Sequence, residues 1–227
     1  MTRADFTALD AAGLNLQAVF DLAALPEAVQ GSLRGHPAFD PAFRQLILIG
    51  HGGRLLWERV RAAGGDSPHP IDDYSRATFN RWFAENLPGH RHAVVYPGDA
   101  PVGLQALGTL AGWHHPSPFM VGINARWGSW FAYRVLALAD TDLPVTAPDP
   151  SPSPCLACAA RPCVPACPGD ALADGGFSLA KCIAYRRLAD SRCRATCVAR
   201  LACPVGREHR YEDSQLAHAE GRSLEDS

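Results

Sequence analysis

The 227-residue sequence has no uninterrupted apolar run near the ~20 residues that a membrane-spanning helix needs. Its start, Met1-Thr2-Arg3-Ala4-Asp5, lacks the basic-then-apolar form of a secretory signal, so a cytoplasmic protein is expected. Excess positive charge is missing too: 21 Lys and Arg stand against 23 Asp and Glu, a formal net charge of −2. No whole-chain field attracts a polyanion, and neither nucleic acid nor a membrane is implied as a partner. Cysteine is absent from the first 154 residues. The rest is ordinary for a folded chain, with 47% hydrophobic and 19% charged residues, which excludes wholesale disorder. The length suits one large domain, or one domain with a small module.

The eight cysteines are Cys155, Cys158, Cys163, Cys167, Cys182, Cys193, Cys197 and Cys203. A disulfide framework suits a small secreted scaffold. Clustered thiols in a chain without an export signal point to metal or redox chemistry. Two runs each close with Cys-Pro, at Cys167-Pro168 and Cys203-Pro204. In two-cluster ferredoxins the fourth Cys of such a run ligates the other cluster. Applied here, that crossing gives Cys155, Cys158, Cys163 and Cys203 to one 4Fe-4S cluster. Cys167, Cys182, Cys193 and Cys197 go to the second, and no cysteine is left over. The spacings are longer than the common ones, with four residues between Cys158 and Cys163 and five between Cys197 and Cys203. A single cluster, a pair of all-cysteine zinc sites, or free thiols therefore remain alternatives. Arg161, Arg186, Arg187, Arg192, Arg194 and Arg200 lie among the ligands, where they offset cluster charge or form a solvated helix face.

Upstream, strands and helices mix. Residues 44–49 read as a strand, broken by Gly50-His51-Gly52-Gly53, a plain tight turn without the full G-x-G-x-x-G spacing. Helices are predicted over 55–63, 71–87 and 102–113, and strands over 92–96, 119–124 and 130–138. The fold class is α+β, with a first domain at 1–143 and a Pro-rich extended linker at 144–154. A small two-cluster ferredoxin-like module follows at 155–207. The tail, 208–227, is polar, with its last ten or so residues expected to be mobile.

The segment Asn124-Ala125-Arg126-Trp127-Gly128-Ser129-Trp130-Phe131-Ala132-Tyr133-Arg134, running into Asp142-Leu143-Pro144, resembles the core of the cblC-type cobalamin-trafficking chaperones. His69-Pro70-Ile71-Asp72 and Leu87-Pro88 fall in a similar order. The same domain followed by a two-cluster module resembles the epoxyqueuosine reductases of tRNA modification, through Ala111-Gly112-Trp113, Gly128-Ser129-Trp130-Phe131, the cysteines, and Lys181-Cys182-Ile183-Ala184-Tyr185. These stretches span roughly residues 40–205. The resemblance implies a nitroreductase-like domain with a mixed sheet that holds a corrinoid, reduced by nearby clusters. It also implies an acidic proton donor, for which Asp99-Ala100-Pro101 is similar to the family's segment but lacks its serine. No long basic helical-repeat region follows the clusters, so tRNA is not the expected substrate.

Arg126, Gly128, Ser129 and Trp130 are the candidate cofactor-pocket residues, and Asp99 the candidate acid. Each has a plainer alternative: a surface ion pair, a bulge, a core aromatic, a turn aspartate. His114-His115 is a further candidate imidazole pair, more simply a polar surface loop. The function expected is electron transfer from two 4Fe-4S clusters to cobalamin, or less favourably a flavin, in a reductase or cobalamin-processing protein. A ferredoxin-like carrier whose first domain only docks a partner, and a zinc-stabilised interaction protein, are the alternatives. Expected partners are a ferredoxin- or flavodoxin-type electron donor, a corrinoid, and a second copy of the chain, since nitroreductase-like domains in related families often dimerise.

Overall fold

Four short runs rich in Leu, Ile, Val and Phe pair into one sheet, in the order β1 (Leu16–Asp21), β2 (Gln45–Gly52), β4 (Phe131–Ala139) and β3 (His92–Tyr96). The computed structural model describes residues 5–64, 66–173 and 175–225, so the Met1–Ala4 stretch read for a signal lies outside them. β2 sits between two neighbours and is buried along its whole length. That is why its sequence is a continuous apolar run and not an alternation. Ile47 and Ile49 share a core with Leu9 of α1 (Thr7–Ala11), with Leu56, Trp57 and Val60 of α3 (Leu55–Ala63) and with Phe79, Trp82 and Phe83 of α4 (Pro70–Asn86). On the opposite face of β4, Leu136 lines a small cavity with Leu33 of α2 (Glu27–Arg34) and Leu107 of α5 (Leu104–Leu110). Pro70 opens α4 at a position where its missing N–H costs nothing, and Asp72 and Asp73 complement the helix dipole in its first turn.

The α+β class and the helices α3 and α4 agree with the sequence to within a residue. So do the strands expected at 92–96 and 130–138, which are β3 and β4, whereas other parts of the structure differ. The sheet, expected to be mixed, is antiparallel in every described pairing. Gly50, His51 and Gly52 continue β2 beyond a register shift at Ile49/Gly50, and the break comes at Gly53, with φ +78°. The strand expected at 119–124 is a loop with isolated bridges. There Asn124 exchanges both backbone bonds with Gly128, and its side chain accepts from the Trp127 N–H at 2.7 Å. This tight turn consumes the groups that a ladder would use.

The chain divides into two units whose bounds differ from 1–143 and 155–207. The first comprises the residues through Ala111 together with Phe131–Asp149, and the second Gly112–Trp130 with the residues from Pro150 onward. Thr146 exchanges hydrogen bonds with Val19 of β1, and Asp149 N–H donates to the Ala111 carbonyl. The front of the Pro-rich stretch is thus fastened to the first unit. In the second unit, Phe119 and Ile123 pack with Leu172, Ala199, Cys163 and Cys203 in one apolar cluster, against which Cys155, Cys167 and Cys197 lie. Its other elements are short, including α6 (Leu179–Arg186), α7 (Val198–Ala202) and α8 (Asp213–Glu225). The polar tail carries α8, and Leu216, ahead of the last ten residues expected to be mobile, is buried against Trp130 and Tyr211. Among the described residues no helix is long and apolar enough to cross a membrane.

Candidate metal centres

Tight turns gather the cysteines. Cys155 lies in a 3-10 turn, Pro154–Leu156, and its carbonyl accepts from Cys158 N–H at 3.3 Å. Cys167 N–H closes a turn onto the Val164 carbonyl, and Cys203 N–H one onto Arg200. Cys182 rides on α6, whose N-cap Ser178 accepts from the Lys181 N–H, and Cys197 caps α7. Two residues in these loops, Arg161 (φ 38°) and Asp170 (φ 50°), take the left-handed backbone that such turning demands.

Two cavities result, and each is walled by four cysteines. The first, about 210 Å³, is lined by Cys155, Cys158, Cys163 and Cys203. The second, about 270 Å³, is lined by Cys167, Cys182, Cys193 and Cys197. Each quartet combines cysteines from both runs, and each cavity is several times the ~30 Å³ share of a liquid water. All eight cysteines are thiols and not disulfides. Among the described residues no three of His, Cys, Asp or Glu converge on a single-ion position. Burial pushes the Cys155 and Cys163 thiols up from their ordinary value, and the neighbouring Cys203 and Cys158 push in the same direction. Two thiols that resist ionising thus share one space with two more sulfurs, an arrangement that a cationic core relieves.

The other candidates fall elsewhere. Arg126 is exposed, its guanidinium 4.7 Å from the Trp127 ring centroid. Gly128 has φ +60°, and a Cβ there would collide with the Val205 carbonyl oxygen. The close approach that glycine permits is thus to the chain itself. Ser129 and Trp130 are fully buried. Arg200 donates to the Ser129 carbonyl at 2.6 Å and to its hydroxyl at 3.3 Å. Gly128, Ser129 and Trp130, expected to line a cofactor pocket, hold the 127–130 turn against segment 200–211. His115 Nε2 lies 3.1 Å from the Ser151 carbonyl, and His114 is buried, its pKa lowered by that burial and by His115. Neither histidine lines a thiol cavity. Asp99 is exposed in the turn after β3, in the first unit.

Sequence reasoning misses three features. Thr196, inside the second cysteine run, lines the second cavity with a buried hydroxyl. Arg200, expected to offset cluster charge or lie on a solvated helix face, is not solvated but a buried cation stacked on Trp130 and Tyr211. In the first unit, buried His51 accepts at Nδ1 from Arg134 Nε (3.0 Å), which places the imidazole proton on Nε2, and Arg134 lies 3.9 Å from Asp72. A polar residue interrupting an apolar strand was the available signal for His51. Arg200 and Thr196 carry none, since arginines and small polar residues are common throughout that segment.

No protein-family model matches this chain, and no curated protein does. Solved structures do. An epoxyqueuosine reductase aligns over 90% of this chain and 66% of its own, at 13% identity and a TM-score of 0.57. An epoxyqueuosine reductase in complex with an epoxyqueuosine-modified tRNA-Tyr stem loop aligns over 92% and 66%, at 12% identity and TM-score 0.55. A reductive dehalogenase described for B12-dependent dehalogenation aligns over 94% of this chain and 34% of its own, at 14% identity and TM-score 0.55. The chain thus spans about two-thirds of the reductases' length and a third of the dehalogenase's. The α+β fold of this chain is the one shared by the epoxyqueuosine reductases and a B12-dependent reductive dehalogenase.

Proposed function

We propose that the chain is an iron–sulfur protein that carries two 4Fe-4S clusters and passes single electrons from them to a corrinoid, in a cobalamin-dependent reductase or cobalamin-processing role. The observation that carries this reading is the pair of cavities, each walled by four cysteines drawn from both runs. Four thiolates around a roomy space suit a cubane, whose corners lie apart, and Phe119, Ile123 and Leu172 supply apolar wall beside them. Cluster 1 takes Cys155, Cys158, Cys163 and Cys203, and cluster 2 takes Cys167, Cys182, Cys193 and Cys197.

The corrinoid enters through the fold shared with a dehalogenase described as B12-dependent. It supplies the bond-breaking chemistry when bound, and the protein supplies electrons, orientation and protons. Exposed Lys181, Arg187, Arg192 and Arg194 lie close in sequence to Cys182 and Cys193 and suit an acidic electron donor of the ferredoxin or flavodoxin type. The whole-chain charge of −2 disfavours a polyanion, so the tRNA stem loop of the reductase complex is not carried over as substrate.

The test is iron, acid-labile sulfide and zinc content on protein purified without oxygen, then titration with base-off cobalamin, a tRNA stem loop serving as the control ligand. About eight iron and eight sulfide per chain, with a shifted cobalamin spectrum, supports the reading. Full iron with an unchanged cobalamin spectrum leaves an electron carrier. Stoichiometric zinc without iron ends the redox reading altogether.

A further inference from the structure

We infer that the Thr196 hydroxyl donates a hydrogen bond to the sulfur-bearing group held by Cys167, Cys182, Cys193 and Cys197, and thereby raises its reduction potential. The inference rests on the iron–sulfur reading above. Thr196 stands between two of the four ligands, in Cys193-Arg194-Ala195-Thr196-Cys197, and lines the same cavity. Its Oγ1 is fully buried and has no hydrogen-bond partner among the described residues. A buried hydroxyl left unpaired is costly, so one in a native structure calls for a partner that the protein atoms do not provide.

The surroundings narrow that partner. Much of the cavity wall is apolar, with Phe119, Ala171, Leu172, Phe177 and Ile183. Arg186, also on the wall, donates from Nε to the Cys193 carbonyl at 3.3 Å. The acceptors concentrated in the cavity are sulfurs, and thiolate or sulfide accepts an O–H bond. In the first cavity the corresponding hydroxyl, Ser117 Oγ, is taken by the Val121 carbonyl at 2.5 Å. The proline-rich wall there, with Pro116, Pro118, Pro154, Pro162 and Pro204, brings no N–H of its own. Among the ligands of the first cavity, Cys155 has its own hydroxyl partner in Ser153, whereas the Thr196 hydroxyl beside the second cavity has none among the described residues.

The sign follows from charge. Reduction adds one electron to a group already negative through its four thiolates, and that electron density lies partly on sulfur. A donor hydrogen bond therefore stabilises the reduced form more than the oxidised one and raises the potential. Thr196 is in this sense a positioning and tuning residue, not a ligand.

The experiment is a redox titration of the full chain without oxygen, followed by visible absorbance and electron paramagnetic resonance, on wild type, Thr196→Val and Thr196→Ser. Thr196→Val keeps the shape and removes the donor, so it retains full iron while one of the two potentials moves to a more negative value and the other stays. Thr196→Ser keeps the wild-type pair. Full iron in Thr196→Val with both potentials unmoved, or with both moved equally, overturns the inference and leaves the iron–sulfur reading intact. Wild-type protein without iron removes both. Thr196→Ala, read by the same titration, decides the matter if Thr196→Val does not hold its iron.

Discussion

The Arg200 guanidinium lies 4.3 Å from the Trp130 ring centroid and is itself buried, with 6% of its surface exposed. Tyr211 flanks it at 5.1 Å, and the Ser129 carbonyl and hydroxyl accept from it. One side chain thus joins three segments of the second unit: the 127–130 turn, α7 between Cys197 and Cys203, and the start of the tail.

Removing that cation leaves the Ser129 acceptors unpaired in a dry site and forfeits its stacking on two rings. Arg200→Ala is expected to destabilise the second unit by about 3 kcal/mol, combining charged hydrogen bonds and cation–π contacts. Arg200→Lys recovers only part of this, because an ammonium lacks the flat fork that serves rings and carbonyl together. Denaturant unfolding and limited proteolysis within residues 150–211 measure it. A stability loss below about 1 kcal/mol for Arg200→Ala counts against the assignment.

Gly128 separates a ligand-facing role from a structural one. Its φ of +60°, and the Val205 carbonyl oxygen lying where a Cβ would have to go, forbid any side chain. Gly206, across the contact, is equally closed, since a Cβ there would meet Trp127 C at 2.5 Å. Gly128→Ala and Gly206→Ala are each expected to cost about 3 kcal/mol, from backbone strain and overpacking together. Similar melting losses in both variants mark a contact of the chain with itself. A Gly128→Ala protein that melts like wild type but loses only cofactor binding points back to a ligand pocket.

The crossed quartets make a prediction that nearest-neighbour pairing does not. Cys163→Ala and Cys203→Ala, far apart in sequence, are expected to remove the same centre and leave about half the iron. Cys167→Ala and Cys193→Ala remove the other. Paramagnetic resonance of the reduced protein tells the two residual spectra apart. If Cys163→Ala and Cys167→Ala give the same spectrum, the quartets follow the runs and the crossing is wrong.

The grouping of the cysteines around two cavities was legible because thiols are rare and the Cys-Pro endings already imply which of them share a space. α3 and α4 were legible for the same reason of strong local signal: helical period, a Pro at the first position, Gly or Pro at the stop. What escaped depends on distant partners. β1 is paired to β2 across some thirty residues, and nothing local distinguishes Leu16–Asp21 from other mildly apolar stretches. The 112–130 segment reads as part of the first domain because its Trp and Phe residues favour strands. Its place in the second unit is set by Phe119 and Ile123 packing among the cysteines. Trp130 was legible as a buried aromatic but not as the seat of Arg200.

In the first unit, His92 is half-buried on β3, its ring 4.1 Å from Phe83 and 5.4 Å from Phe79, with Nε2 2.9 Å from Asn80 Oδ1. Burial lowers its pKa from the ordinary 6.5. A folded value below the unfolded one means that the unfolded chain binds the extra proton first as pH drops. The stabilisation from neutral His92 is therefore complete above about pH 6.5 and is lost as pH falls through the folded value. His92→Gln keeps a donor for Asn80 but cannot titrate, and loses about 1 kcal/mol of aromatic contact. Its melting temperature is expected to lie below that of wild type near neutral pH, and the gap between the two is expected to shrink on acidification to about pH 5. Thermal melts of both proteins across that range measure it, and a gap that stays constant with pH shows that His92 is not the group whose charging weakens the sheet.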